Sequence, residues 1–293
     1  MSRFASILLP LDGSAEAAKG AGCALWLAET LGATLHVLHA TPQPLPAHQA
    51  LARLRIPDAQ RAQVVVHQLS AGAGAAVLEA IAAYGVDLVV MSARGETASA
   101  GLELSKRLGK VAQAVLERSP VPVLLLPARY REALPWTSML AAASGEAAAD
   151  QALEAAAQLA AALQLRVSVV HCEDGPAGAG AGALGAYADA PHHEFSRRLA
   201  GMVERGLAGC TPEEGHCVNQ VLLARGEPAA VLLEQVARHA SSLLALGWHG
   251  AIGAGRASVL KRLIEQAECP LLLVRSPERS SARLKVGKEI DDD

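Results

Sequence analysis

The 293-residue chain carries one order of motifs twice. Ser138–Gly145 (SMLAAASG) lies against Ser6–Gly13 (SILLPLDG), 132 residues on, and Val169–His171 lies against Val37–His39 at the same offset. Farther along, the offset changes. Ala230–Leu232 matches Ala76–Leu78 at 154, Leu246–Gly250 (LGWHG) matches Met91–Gly95 (MSARG) at 155, and Cys269–Leu273 (CPLLL) matches Val121–Leu125 (VPVLL) at 148. Self-similarity over so long a period means two copies of one domain. The length agrees, at about 150 residues per domain. The second copy gains about 22 residues between its second and third strands, and loses 7 just after its fourth. The Gly/Ala-rich stretch Gly175–Gly185 is expected to supply much of the gain as a mobile loop. The domains are read as 1–128 and 136–275, joined by a linker at about Ala128–Pro135. A polar tail, 276–293, ends in three aspartates and is expected to fray.

Within the first copy two periodicities alternate. Ser6–Leu11, Thr34–His39, Val64–Leu69, Asp87–Ser92 and Val121–Leu126 are short apolar runs that read as buried strands. Between them Ala15–Leu31, Ala75–Tyr84 and Lys110–Arg118 have helical spacing, and Gly32 and Gly85 stop two of the helices. Strands apolar on both faces, with helices between them, imply a parallel sheet covered on each side.

Hydrophobic residues make up 51% and charged residues 19%, enough for a packed core and too apolar for disorder. A net charge of −3 argues against nucleic acid or an anionic membrane as a partner. Only 3% of residues are aromatic, too few for a reader that stacks single-stranded bases. No apolar run approaches the ~20 residues that span a bilayer. The opening MSRFASILLPLDGS reads as a strand rather than a signal peptide. The cysteines, at 23, 172, 210, 217 and 269, are odd in number and scattered, which fits a reducing cytoplasm.

Ligands of open parallel sheets bind beyond the carboxyl ends of the strands, where strand order reverses. The residues that end the first and fourth strands are therefore the candidates. Asp12, followed by Gly13 and Ser14, either accepts hydrogen bonds from a base or ribose or only caps the next helix. The fourth strand runs into Ser92, Arg94 and Gly95, then the helix at Gly109-Lys110. In the second copy it runs into Gly247, Trp248, His249 and Gly250, then Gly253, Gly255, Ala257 and Ser258. Glycines between a strand and a helix let backbone N–H groups reach phosphate oxygens, although ordinary turns need glycine too. Trp248 and His249 either contact a ligand or cover the sheet end.

The remaining candidates favour plainer readings. His192-His193, beside Asp189 and Glu194, project too far apart to share one ion and read as a solvated loop. Cys210 and Cys217 are spaced too widely for a zinc pair, and Cys172, after the second strand, either lines the cleft or, the favoured reading, is a small buried residue. No Gly-x-Ser-x-Gly elbow, His-Glu-x-x-His helix or plausible Ser/His/Asp set is present, so no catalytic residue is assigned.

Several of these motifs together resemble those of universal stress proteins, arranged in tandem. The residues that carry the likeness are Ile7–Ser14 (ILLPLDGS), Asp87–Met91 (DLVVM), Gly109–Arg118 followed by Pro120–Leu126, and Ala257–Ile264 followed by Cys269–Val274. The resemblance covers about residues 3–127 and 136–275. It implies an α/β chain of two tandem, doubly wound, five-stranded parallel-sheet domains of Rossmann-like type. It also implies pairing of the two halves through their last strands, an internal pseudo-dimer, with a homodimer of whole chains as a further assembly. Many members bind ATP or AMP, with the first-strand Asp at the base and ribose and the phosphates on a loop of pattern Gly, two residues, Gly, nine residues, Gly-Ser or Gly-Thr.

Both halves depart from that pattern. The first keeps Asp12 and Gly95, has Ser92 for the first glycine, and reaches Gly109-Lys110 only after 13 residues. The second keeps Gly247, Gly250 and Ser258, has Ala257 for the last glycine after six residues, and has Ser144 where Asp12 stands. The resemblance thus implies base and ribose contacts in the first half, from Asp12, Gly13, Ser14 and Val37, and an anion site in the second. Three functions are weighed. The favoured one is a cytoplasmic regulatory module of the stress response, with ATP or AMP in the first half and protein partners not identified. The second is a nucleotide-free protein of the same fold that acts through dimerisation. The third is a weak ATP-hydrolysing enzyme, disfavoured because no base, nucleophile or acidic Mg²⁺ cluster stands near the loops.

Overall fold

A computed structural model describes residues 3–95, 108–173, 192–252 and 257–276. Among these residues ten strands lie in one sheet. The first half contributes β1 (Ser6–Pro10), β2 (Thr34–Ala40), β3 (Val64–Leu69), β4 (Leu88–Ser92) and β5 (Val123–Leu126). The second contributes β6 (Ser138–Ala143), β7 (Arg166–Glu173), β8 (Val218–Arg225), β9 (Leu243–Trp248) and β10 (Leu271–Arg275). The order is β3-β2-β1-β4-β5-β10-β9-β6-β7-β8. Each half is parallel and reverses its winding between its first and fourth strands, which is where a doubly wound sheet opens a crevice. The seam is antiparallel, with Leu271 opposite Leu125 and Leu273 opposite Val123. The carboxyl ends of the strands therefore point to opposite edges of the sheet in the two halves.

The helices follow from local chemistry. In α1 (Ala15–Leu31) the Ser14 hydroxyl accepts the N–H of Ala17, and Gly32, at φ 64°, closes the helix in the left-handed region. Its counterpart α5 (Ala147–Ala162) is rich in alanine, which lets it lie close to the sheet. The other sheet-packing helices are α3 (Ala73–Ala83), α4 (Lys110–Arg118), α8 (Pro228–Arg238) and α9 (Ser258–Gln266). The short α2 (Ala47–Arg53) and a 3₁₀ turn at Asp58–Gln63 bridge β2 to β3. In the second half α6 (His192–Gly206) and α7 (Pro212–Gly215) fill that place. This corrects the expectation of a loop at His192-His193, whose backbone opens α6. The Gly175–Gly185 stretch, Asp189, Gly253, Gly255 and the tail beyond 276 lie outside the described residues.

Alternation along the strands feeds two cores, one on each face. One holds Ile7, Leu9, Val37 and Leu124 under α1 with Met139, Ala141 and Leu272 under α5. The other holds Leu8, Leu38 and Leu125 with Leu140, Leu244 and Leu271 under the remaining sheet-packing helices. Each core is continuous across the seam, and each fully buried leucine there contributes about 1.5–3 kcal/mol. The linker reinforces the union. The Arg131 N–H donates to Glu268 O at 3.0 Å, and buried Trp136 packs edge-on against Trp26 with ring centroids 4.9 Å apart.

Candidate functional site

Two clefts open at the carboxyl ends of the strands, one per half. The first holds about 110 Å³ and the second about 520 Å³. The difference starts in side-chain volume. Pro10 and Leu11 line the first cleft, where the matching residues of the second are Ala142 and Ala143.

In the first cleft, Asp12 Oδ1 accepts the Ser14 N–H at 2.9 Å, and Ser14, not Asp12, is the helix cap. Gly13, at φ 89°, makes the turn between them. The other carboxylate oxygen lies against Gly95, so closely that a Cβ on residue 95 would overlap it. The two walls of the cleft meet there. Gly109 and exposed Lys110 start α4 with no side-chain cap, and both line the cleft. Ser92 donates its hydroxyl to Ala17 O at 3.4 Å, across to α1. Val37 is fully buried in the core on the α1 face and does not line the cleft. Period-two alternation turns Leu38 and Ala40 toward the cleft and Val37 away from it.

The second cleft repeats this plan with different chemistry. The Glu146 N–H donates to Ser144 Oγ at 3.4 Å, so a hydroxyl serves the turn that Asp12 serves in the first half. Glu146, freed from capping, reaches across the mouth to His249 Nε2 at 2.8 Å. Each half also has a histidine that donates Nδ1–H to the carbonyl ending its first strand: His39 to Leu11 O at 2.9 Å, His171 to Ala143 O at 2.8 Å. Ala142, Val170, Leu232, Leu246, Trp248 and Leu260 make most of the wall apolar, and Cys172 joins them. Exposed Ser258 opens α9 beside the lining residues Ala257 and Val259.

Two glycines of the second loop have specific reasons to be glycine. A Cβ on Gly247 would overlap the backbone of Ala148, so this residue is where α5 touches β9. Packing thus accounts for Gly247 being glycine, while the residue also lines the second cleft. Gly250, at φ 85°, stands on the Arg275 side chain, with a Cβ there 2.9 Å from Arg275 Cδ. Ala257 precedes α9 at φ 55°, ψ 38°, a left-handed conformation in which its methyl costs about 1–2 kcal/mol. Among the described residues no side chain caps α9.

Elsewhere the candidates are structural. Cys210 and Cys217 are not bonded to each other. The Cys210 thiol donates to the α5 carbonyl of Glu154 at 3.8 Å, the Cys217 thiol lies 2.9 Å from Glu214 O and 3.6 Å from the α5 carbonyl of Ala157, and burial pushes both thiols up to about 11. Among the described residues no cluster of three or more His, Cys, Asp or Glu is placed to hold a metal ion. Among them also, no helix is long and apolar enough to cross a membrane.

Paired doubly wound α/β halves with a crevice at each reversal point define a class of open parallel-sheet proteins. The sequence model of the universal stress protein family matches residues 3–127 and 135–275, and the chain belongs to that family as a tandem member. Two solved structures share its fold along nearly the whole length. A putative universal stress protein from Pseudomonas aeruginosa UCBPP-PA14 is 15% identical over 93% of each chain, with a TM-score of 0.62. A universal stress protein from Archaeoglobus fulgidus DSM 4304 is 16% identical over 93% of this chain and 97% of its own, also with a TM-score of 0.62. No curated protein matches the sequence.

Proposed function

We propose that this tandem universal stress protein is a cytoplasmic regulatory module that binds one adenine nucleotide, ATP or AMP, in the second cleft, with the first half as its structural partner. The observation that carries this reading is volume. Pockets for molecules of this size run from about 300 to 1,000 Å³, a range that takes in the second cleft and leaves out the first. The apolar wall of Ala142, Val170, Leu246 and Trp248 suits a flat base. The uncapped start of α9, with Ser258, suits phosphate oxygens. This moves the nucleotide from the first half, where Asp12 pointed, to the second. Five thiols with no disulfide between them fit a reducing compartment.

A nucleotide-free reading has one observation in its favour: Ser144 offers no carboxylate to a ribose. The two readings separate on purified protein. Denaturation and chromatography of released small molecules, followed by titration calorimetry with ATP and AMP, should give one nucleotide per chain. Ser258→Ala should weaken binding, and Asp12→Ala should leave it unchanged. No heat with either nucleotide, or loss of binding in Asp12→Ala alone, overturns the proposal.

A further inference from the structure

The wall of the second cleft is held from the other half of the molecule. The Ile252 N–H donates to Glu117 Oε1 at 3.2 Å, and Glu117 stands in the last turn of α4, which belongs to the first half. The same oxygen accepts Gln113 Nε2 at 3.1 Å, which fixes the carboxylate along its own helix. A second tie lies beside it. Arg275, at the end of β10, donates Nε–H to Ser119 O at 3.3 Å, and its aliphatic stem supports Gly250 from below. Ser119 is buried and closes α4. The turn from Trp248 to Ile252 carries three residues of the cleft wall, Trp248, His249 and Ala251. It is thus tied by one bond, and propped through Arg275, to a helix whose opposite end, Gly109 to Ala112, lines the first cleft.

We infer that Glu117 is a positioning residue of the second cleft, supplied by the first half, and that it sets how tightly that cleft holds its ligand. A wall turn without its anchor samples open positions, and the ligand must then be bound at the cost of ordering it. The inference rests on the second cleft being the nucleotide site, but its first consequence can be read without any ligand.

The test uses the full chain with Glu117→Ala, Glu117→Gln and, as a control, Glu234→Ala, which removes an exposed carboxylate on α8 paired with Arg238. Amide hydrogen exchange is followed in peptides covering 248–252, and AMP and ATP affinities are measured by calorimetry. In Glu117→Ala, exchange there should quicken and AMP affinity should fall, each about tenfold, the factor for losing one charged hydrogen bond at the low end of its range. Glu117→Gln keeps an oxygen that accepts the same N–H and should retain most of both. The Glu234→Ala control should match wild type. Unchanged exchange in Glu117→Ala, or no rescue by glutamine, overturns the inference. If wild type binds neither nucleotide while exchange still quickens in Glu117→Ala, the anchor stands and the nucleotide reading falls.

Discussion

Gly247→Ala separates two meanings of one glycine. If residue 247 served only to let backbone amides approach a phosphate, an added methyl would weaken anion binding and spare the fold. The structure makes it a packing position, because the new Cβ would overlap the Ala148 carbonyl group on α5. Relief needs roughly 1 Å of separation between α5 and β9, and gaps of that size forfeit a quarter to a half of the dispersion attraction at the surfaces parted. That helix buries Ala152, Leu153, Ala156, Leu159 and Ala160 against the sheet, so the loss is not confined to one contact. Overpacking a close core costs about 1–3 kcal/mol, and a collision with backbone belongs at the top of that range. We therefore expect about 3 kcal/mol, read as a lower urea midpoint at unchanged slope. In a domain of this size that is about 6–12 °C in melting temperature. Ser92→Ala, at the matching place in the first half, removes only a long hydroxyl bond to Ala17 and should cost about 1 kcal/mol or less. A Gly247→Ala protein within about 0.5 kcal/mol of wild type, deficient only in anion binding, would refute the packing argument.

Other perturbations test other parts. Ala257→Gly relieves about 1–2 kcal/mol of left-handed strain against about 0.4–1 kcal/mol of added chain entropy, for a net gain near 0.5–1 kcal/mol by urea unfolding. A loss of stability would show that the conformation is not strained. His36 and His67 share a hydrogen bond at 2.9 Å and stack with Tyr84, and burial holds both below their ordinary 6.5, His67 also through the charge of His36. The unfolded chain then takes up protons first, so their contribution is intact above about pH 6.5 and is lost as pH falls below it. Melting should drop between about pH 7.5 and 5.5, and a His36→Gln/His67→Gln protein that drops as far as wild type would contradict this. Burial pushes the Cys23 thiol up, Cys210 and Cys217 to about 11, and Cys269 to about 12, while Cys172 lines the open second cleft. A thiol reagent at about pH 8 should mark Cys172 first by mass spectrometry, and first labelling at Cys210 would count against the cleft's openness.

The architecture was legible because its signals are local and repeated. Apolar runs marked strands, Gly32 marked the end of α1 by the left-handed turn it makes, and the recurrence of the motifs in one order revealed two copies. Site chemistry was legible only in part. Gly247 looked like a loop glycine because nothing in one-dimensional spacing reports how near α5 passes. Val37 neighbours the cleft in sequence, but strand alternation turns it to the opposite face. The contrast between the clefts depends on Leu11 in place of Ala143, which the alignment of the copies shows, and on Asp12 closing over Gly95, a contact between distant segments that it does not. The Glu117–Ile252 bond joins residues 135 apart and belongs to neither repeat alone. A feature of that kind gives no signal in a comparison of one copy with the other.

The antiparallel seam between β5 and β10 has a consequence for communication. It turns the two openings away from each other, so the approach to one is clear of the approach to the other. The bonded route from one end of this protein to its opposite end runs through that joint and through the bond of α4 to Ile252 beside it.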